Sequence, residues 1–428
     1  MIDKDFCLSS YIAFRYIWKD DMEFAEGMEH DLIEPIPVDD RIPVATAQEI
    51  DQQIQRQFDE LYQHYPNIGI LLSGGMDSAI LASYLKPGSH AYTFTAAGTT
   101  VFNADMERAA HYCKKFGLQH HLVDITFDDY KELTPIVMES KCAPVHSIEP
   151  QIYKAAMMAR ADNVDLVIVG ESSDLVFGGM DKLLAKDWQF DEFVKRYTFL
   201  DPKLVLTHPV DMSELFEQYR QGDKIDFMRF MDDVFAVESS SSYLNAFDTA
   251  TMPYYDPYAR LIMRDALDLH RVRNGEPKYL IRDLYAMKYP EVPVPDKIPM
   301  PRPVDMIFKD WEGPKRPEFR QDIPMDQLTG NQKWQLWCAE QFLNELEGYK
   351  KRPRHSLGTV DWAAMTCGPF FCWVNYMMPR SRRRFCQFQA LSMVSSSEIS
   401  ACQPRTSLAR LGSAQIWTMS PGRRGAIL

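Results

Sequence analysis

The stretch IGILLSGGMDSAILAS, residues 68–83, decides which fold the chain adopts. Its apolar start predicts a buried strand, Ser73-Gly74-Gly75 predicts a tight turn, and the apolar residues from Ala79 predict a helix. A strand, a glycine loop and a helix in this order are typical of an anion site. The glycines allow backbone N–H groups to approach a phosphate, the hydroxyls of Ser73 and Ser78 add donors, and the helix start carries partial positive charge.

Asp77 lies next to this loop and indicates that a metal ion takes part. A carboxylate beside a phosphate cradle repels the ligand unless a hard cation bridges the two, so Asp77 predicts bound Mg²⁺. The loop has neither the lysine of a Walker loop nor the spacing of a dinucleotide fingerprint. It resembles the S-G-G-x-D-S loop of the ATP pyrophosphatase (PP-loop) superfamily, whose members split ATP between the α and β phosphates. The simpler alternative is an ordinary Gly-Gly turn.

The composition is that of a soluble globular protein. The 428 residues are 46% hydrophobic and 25% charged, and no apolar run approaches the ~20 residues that a membrane span needs. The start of the chain does not resemble a signal peptide. Eight cysteines without a C-x-x-C pair favour a reducing compartment, so we expect a cytoplasmic protein. The net charge of −13 argues against broad nucleic-acid binding.

Between residues 68 and 179, strand patterns alternate with helical patterns. Strands are predicted from residue 68 and at 90–95, 120–123 and 165–169, with helices at 104–116, 128–139 and 151–161 between them. This alternation predicts an α/β fold with a parallel sheet, whose ligands bind at the carboxyl ends of the strands. Ser73 and Gly170 both follow such ends, so we expect them to face one site. A helix is also predicted at 45–65.

A second motif, GESSDLVFGG at residues 170–179, resembles the G-E-G-S-D-E-x-F-G-G stretch of the asparagine synthetase synthetase domain. The resemblance implies that Glu171 is the general base and that Asp174 binds Mg²⁺ together with Asp77. Ser172 replaces a glycine of that pattern, and Leu175 replaces an acid. The alternative is a polar turn with solvated acids.

Later segments extend the same resemblance. DTATMPYYD at 248–256 and KYLIR at 278–282 are similar to family segments, although Asp256 could simply cap a helix over 258–269. Lys297 stands where the family has the lysine that stabilises charge on the reacting phosphorus and on pyrophosphate, so it is the second candidate catalytic residue. The alternative for Lys297 is a solvated surface lysine.

The resemblance implies three parts. Residues 1–47 are a lead-in or connector. Residues 48–347 form an asparagine synthetase-like ATP pyrophosphatase domain, with its α/β part at about 66–180 and a mainly helical part at about 181–347. Residues 348–428 carry 12 Lys and Arg against two acids and show no sustained period, so we expect a basic, disordered tail or read-through sequence.

The resemblance predicts a ligase that uses ATP and Mg²⁺. Such an enzyme adenylates a carboxylate substrate, here aspartate or a related acid, and releases pyrophosphate. It then transfers the acyl group to ammonia or an amine. The residues expected to bind ATP are Leu72, Ser73, Gly74, Gly75, Asp77, Ser78, Ala96 and Gly170.

Only 72 residues precede Ser73, so we expect no glutaminase activity in this chain; a separate glutaminase or an amine-donor protein would be its partner. Two alternatives remain open. One is a PP-loop enzyme that modifies tRNA or another nucleotide, and the other is a non-catalytic nucleotide-binding scaffold.

Overall fold

We describe the fold from a computed structural model that covers residues 1–30, 32–96, 103–295 and 302–349. The strands in these ranges are β1 Ile42–Val44, β2 Ile68–Leu71, β3 His90–Ala96, β4 Gln119–Ile125, β5 Leu166–Ile168, β6 Arg220–Gln221, β7 Lys224–Ile225, β8 Tyr254–Tyr255 and β9 Leu261–Met263.

The helices in the same ranges begin with α1 at the amino terminus and end with α17 before the tail. They are α1 Lys4–Phe14, α2 Ala47–His64, α3 Met76–Ala82, α4 Asn103–Phe116, α5 Phe127–Lys141, α6 Glu149–Ala161, α7 Ser173–Val176, α8 Asp181–Leu184, α9 Phe190–Tyr197, α10 Pro202–Val205, α11 Ser213–Glu217, α12 Phe227–Phe230, α13 Ala236–Thr249, α14 Leu269–Arg273, α15 Tyr279–Lys288, α16 Val304–Ile307 and α17 Gly330–Tyr349. The tail that follows lies outside the described residues.

A five-stranded parallel sheet in the order β4-β3-β2-β5-β8 forms the centre of the molecule. Every residue of β2 is buried, as expected for a central strand that is covered by helices on both faces. The predicted α/β class with a parallel sheet and a helix-rich continuation is therefore confirmed. Because β2 and β5 pair in parallel, the turns that begin at Ser73 and Gly170 lie at the same edge of the sheet.

The helix expected over residues 258–269 is wrong. The chain instead forms a short 3-10 turn at Tyr258–Arg260 and then β9, which pairs in parallel with β1. The spacing of the apolar residues fits a helix as well as a turn followed by a strand. Leu261, however, is fully buried against β1, and the pairing of β1 with β9 joins residues more than 200 positions apart. Periodicity within the segment carries no information about such a distant partner.

The amino-terminal segment packs into the main core. Asp3 caps α1, and all nine residues from Phe6 to Phe14 are buried. Gln335 of α17 donates a hydrogen bond to the carbonyl of Tyr11, and the Tyr11 hydroxyl donates one to the carbonyl of Val145. Apolar residues between Phe6 and Ile17 thus share one core with α5, α6 and α17.

A π-helical turn at Met231–Phe235 joins α12 to α13. Such turns insert an extra residue into an α-helix and commonly lie next to functional residues. This one directly precedes the first turns of α13, which carry Glu238 and Ser239.

Among the described residues, no helix is both long and apolar enough to cross a membrane.

Candidate active site

The loop after β2 is held by its two serine hydroxyls. Leu72 is buried and donates its N–H to the carbonyl of Tyr92 on β3. The hydroxyls of Ser73 and Ser78 lie 2.9 Å apart, and Ser78 also accepts the N–H of Ser73 at 3.0 Å. The N–H of Gly75 points to the Ser73 hydroxyl at 3.2 Å. The polar groups that we expected to face a phosphate are therefore gathered at one turn.

Gly74 is required by a close contact with the start of α4. A Cβ atom built there would lie 2.5 Å from the Cα of Asp105 and 2.6 Å from its carbonyl oxygen. Arg108 further holds the turn by donating to the Gly74 carbonyl at 2.9 Å. Since the obstructing atoms belong to the backbone, this contact gives Gly74 a second role that the sequence did not indicate.

We expect Gly74→Ala to destabilise the protein by about 1–3 kcal/mol, because the backbone of Asp105 has to move. Gly75→Ala is the matched control, since its Cβ would meet only the Ser73 hydroxyl at 3.2 Å. Urea unfolding of both variants checks this expectation. Equal stabilities for the two variants would contradict the steric role of Gly74.

A buried lysine joins the two carboxylates that the sequence assigns to a metal. The ammonium of Lys278 forms an ion pair with Asp77 and a second one with Asp174 at 2.8 Å. Ser173 adds a hydrogen bond to Asp77 at 2.7 Å. Lys278 is 4% exposed and each aspartate 26%. Burial alone would lower the pKa of Lys278. The negative charges of Asp77 and Asp174 outweigh burial and raise that pKa, so the lysine stays protonated.

Two backbone features allow this cluster to form. Lys278 adopts a left-handed conformation with φ 57°, directly before α15. Gly179 lies against the ion pair, and a Cβ there would come 2.5 Å from the Cδ of Lys278 and would also overlap the Asp174 carboxylate. The last glycine of the GESSDLVFGG segment therefore makes room for Lys278.

The donor set of this cluster fits a hard cation. Asp77 and Asp174 bring two carboxylates from different elements to one point, which is what Mg²⁺ needs from a protein that also binds phosphates. Lys278 compensates one of their two negative charges, so the aspartates retain a net negative charge that can attract a divalent ion.

Glu171 lies beside α13. The hydroxyl of Ser239 donates a hydrogen bond to its carboxylate. Tyr243, one helical turn further along α13, is also close. Burial, followed by the charge and the hydrogen bond of Glu171, raises the pKa of Tyr243, so this phenol stays protonated. Glu171 therefore has two hydroxyl neighbours from one helix.

Asp256 is buried behind the Glu171 loop and ties it to the edge of the sheet. It accepts the N–H of Ser172 at 2.7 Å and the N–H of Tyr258 at 3.0 Å. Burial raises the pKa of Asp256 to about 7; the hydrogen bonds from Ser172 and Tyr258 oppose this shift, and the charge of Glu171 adds to it. Asp256 thus caps the 3-10 turn at Tyr258–Arg260 instead of the expected helix, and it also holds the loop that carries Glu171.

The raised pKa of Asp256 predicts a pH-dependent stability. The folded chain holds a proton that the unfolded chain loses near pH 4, so this group makes the free energy of unfolding fall as the pH rises from about 4 to about 7. Between pH 5 and pH 8 the loss is about 2–3 kcal/mol. Asp256→Asn is expected to remove that part of the slope in urea unfolding, whatever its effect on overall stability. Parallel pH profiles for the variant and the parent chain would contradict the assignment.

Three further charged side chains, those of Arg15, Glu238 and Arg302, lie in the region of Glu171. Arg15, at the end of α1, pairs with the buried Glu238 at 2.9 Å. Burial and Arg15 lower the pKa of Arg302, while Glu238 and Glu171 oppose this shift, so Arg302 lies within electrostatic reach of the other three charges. Among the described residues, Arg15 Nε is buried without a hydrogen-bond partner. The space near Glu171 is therefore lined by charges of both signs.

Most of the sequence-derived site residues meet at one edge of the sheet. Asp77 and Gly170 are close together: a Cβ on Gly170 would lie 3.7 Å from the Cβ of Asp77. Leu72 directly follows β2, which pairs with β5. Ala96 is buried at the carboxyl end of β3, two strands from β5. Lys297 lies outside the described residues, so its assignment stays a prediction.

Sequence reasoning missed the roles of Lys278, Arg15 and Ser239. The K-x-x-L-R similarity marked Lys278 without indicating its contact with the two aspartates. For Arg15 and Ser239 the sequence holds no signal, because each reaches the site through long-range packing.

A family model for asparagine synthase matches residues 49–302, more than half of the chain. Asparagine synthetase B (glutamine-hydrolyzing) of Escherichia coli is 23% identical over 192 residues, which are 40% of this chain and 34% of that protein. Asparagine synthetase (glutamine-hydrolyzing) 2 of Bacillus subtilis is 28% identical over 127 residues, 28% of this chain and 17% of that protein. The chain thus aligns with about a third or less of these relatives.

Among solved structures, an NH3-dependent NAD synthetase from Campylobacter jejuni is similar, with a TM-score of 0.23 and 19% identity. The match covers 32% of this chain and 61% of that one.

Proposed function

Because this chain belongs to the asparagine synthase family, we propose that it is an ATP- and Mg²⁺-dependent ligase that forms an amide from a carboxylate and ammonia or an amine. The observation that carries the proposal is the meeting of Asp77, Asp174 and Glu171 beside the glycine loop. Three carboxylates at one sheet edge suit a reaction that needs both a metal-bound polyphosphate and a base.

Each group has a role that follows from its place. The Ser73–Ser78 loop binds the phosphates of ATP, and Asp77 and Asp174 hold Mg²⁺, which neutralises charge on the polyphosphate. Lys278 keeps the two aspartates together and supplies positive charge next to the leaving pyrophosphate. Glu171 accepts a proton from the attacking amine after the carboxylate has been adenylated.

The charges near Glu171 support an acidic amino acid, aspartate or a related compound, as the carboxylate substrate. Arg302 offers a positive charge to a second carboxylate, and Arg15 has a buried guanidinium N–H that still needs an acceptor. Glu238 offers a negative charge to an ammonium group. A substrate that carries both signs would satisfy these groups better than a simple fatty acid would.

The test is pyrophosphate release from ATP and Mg²⁺ with a panel of carboxylates, each with ammonium or with glutamine. We expect AMP and pyrophosphate in equal amounts, with an acidic amino acid and ammonium giving the highest rate. ATP binding without pyrophosphate from any acid would contradict the ligase proposal. Activity with glutamine alone would show that the nitrogen source is not restricted to free ammonia or amines.

A further inference from the structure

Two histidines and an aspartate meet at the edge of the sheet opposite the candidate active site. His90 begins β3, His121 lies near the start of β4, and Asp162 follows α6. Since β3 spans seven residues, about 20 Å of strand separates this group from the carboxyl edge. The three side chains come from separate elements, so their meeting is a property of the fold rather than of a local sequence motif.

The distances within this group have an unusual pattern. His90 Nδ1 lies 2.9 Å from His121 Nε2, and the two rings are nearly parallel. Asp162 Oδ2 lies 3.6 Å from His90 Nδ1 and 3.7 Å from His121 Nδ1. A carboxylate that hydrogen-bonds an imidazole directly would approach to about 2.7–2.9 Å. Asp162 therefore faces both imidazoles without bonding to either.

The distances from Asp162 Oδ2 to the Nδ1 atoms of His90 and His121 are close to those between the ligands of a bound metal ion. The 2.9 Å contact between the two histidines uses the other nitrogen of the His121 ring, so an ion bound through Nδ1 leaves that nitrogen out. Ligands at about 2.0–2.1 Å from a tetrahedral ion lie about 3.3–3.4 Å from one another. One potential ligand atom from each residue can be chosen so that all three lie within 4.8 Å of one another. We propose that His90, His121 and Asp162 form a binding site for a first-row divalent transition metal ion, with Zn²⁺ the best fit to a set of two imidazoles and one carboxylate.

A supporting group orients the carboxylate. The hydroxyl of Tyr92 donates a hydrogen bond to Asp162 Oδ2 at 2.8 Å, and the Tyr92 ring stacks on His121 at 5.0 Å. Contacts of this kind fix the direction of metal ligands and commonly change affinity 10- to 100-fold when removed.

An ion can reach the site from solvent, and the protein supplies only three of its four ligands. The side chains of His90, His121 and Asp162 are 19%, 26% and 31% exposed, so an ion can enter from solvent. Three protein ligands leave a fourth position of a tetrahedral ion to water. Because the ligands come from β3, β4 and the α6–β5 connection, the ion would clamp these elements together.

The experiment is metal binding by the full-length chain after treatment with a chelator. Zn²⁺ is titrated calorimetrically, and Co²⁺ is followed by its visible absorption. With excess Mg²⁺ present to occupy the Asp77–Asp174 site, we expect one tightly bound ion per chain, with affinity at least 10-fold weaker in His121→Gln and in Asp162→Asn, and about 10-fold weaker in Tyr92→Phe. Bound Zn²⁺ should also raise the melting temperature of the parent chain but not that of Asp162→Asn.

Two matched controls make the result specific. His120→Gln alters the neighbouring histidine, whose ring faces Thr93 rather than the cluster, and should bind metal as the parent does. Asp77→Asn alters the active site and should also leave this affinity unchanged. No Zn²⁺ binding at micromolar concentrations, equal binding by His121→Gln and Asp162→Asn, or a Co²⁺ spectrum with thiolate bands would each overturn the proposal. Circular dichroism of the metal-free variants shows whether they are folded.

Discussion

Lys278→Met is expected to reduce ATP-dependent pyrophosphate formation by about 100-fold or more, the scale seen when one charge-stabilising donor is removed from an active site. The substitution keeps the length of the side chain and the left-handed backbone, but it leaves Asp77 and Asp174 facing each other without the ammonium. Breaking a buried ion pair costs about 3–5 kcal/mol, and we expect the lower end because the aspartates are one-quarter exposed. Rates with saturating ATP and urea unfolding measure the two effects.

The matched control for this prediction lies on the same helix. Lys288 ends α15 and pairs with Asp51 near the surface at 2.6 Å, so Lys288→Met should change stability by less than about 1 kcal/mol and leave the rate unaltered. The double variant Lys278→Met with Asp174→Asn relieves the repulsion and should regain part of the stability without the activity. If Lys278→Met turned over ATP at the rate of the parent chain, the lysine would have no part in the reaction.

Glu171→Gln is expected to separate the two halves of the proposed reaction. Amide formation should fall by about 10²- to 10⁴-fold, because a glutamine cannot accept the proton of the attacking amine. Adenylation does not need this base, so exchange of labelled pyrophosphate into ATP in the presence of the carboxylate should change by only a few-fold. The Ser239 hydroxyl can still donate to the glutamine oxygen, which preserves the local structure.

Glu276→Gln serves as the control for this prediction, since Glu276 is an exposed residue paired with Arg271. Both half-reactions should keep the parent rate in that variant. If Glu171→Gln slowed pyrophosphate exchange as strongly as amide formation, Glu171 would act in adenylation instead, and the proposed role as the base for the amine would be wrong.

The sequence predicted the part of the site that local patterns and sheet geometry determine. The strand, glycine loop and helix at residues 68–83 were predicted from the order of apolar residues and glycines, and a parallel sheet brings the carboxyl ends of neighbouring strands to one edge. That rule was enough to expect Ser73 and Gly170 at one site, whereas the roles of Glu171 and Asp174 beside Asp77 were implied by the family resemblance. The observed register of β2 against β5 agrees with it.

The remaining parts depend on contacts between distant segments. Lys278 reaches Asp174 across 104 residues, and Arg15 reaches Glu238 across more than 220. The strand β8 has only two residues, too few for any periodic pattern, and it exists because β5 offers it a partner. Ser239 reaches Glu171 from α13, which follows a π turn, across 68 residues of chain.

The burial of α1 decides where a fragment of this protein can begin. The region similar to known families begins at residue 49, yet the unit that folds is larger. A recombinant fragment cut at the edges of that similarity would lose Arg15 from the site, and it would leave α5 without the cover of α17, on which α1 packs. The boundaries of the sequence similarity and those of the folded unit therefore differ in this chain. A fragment for expression should follow the boundaries of the folded unit.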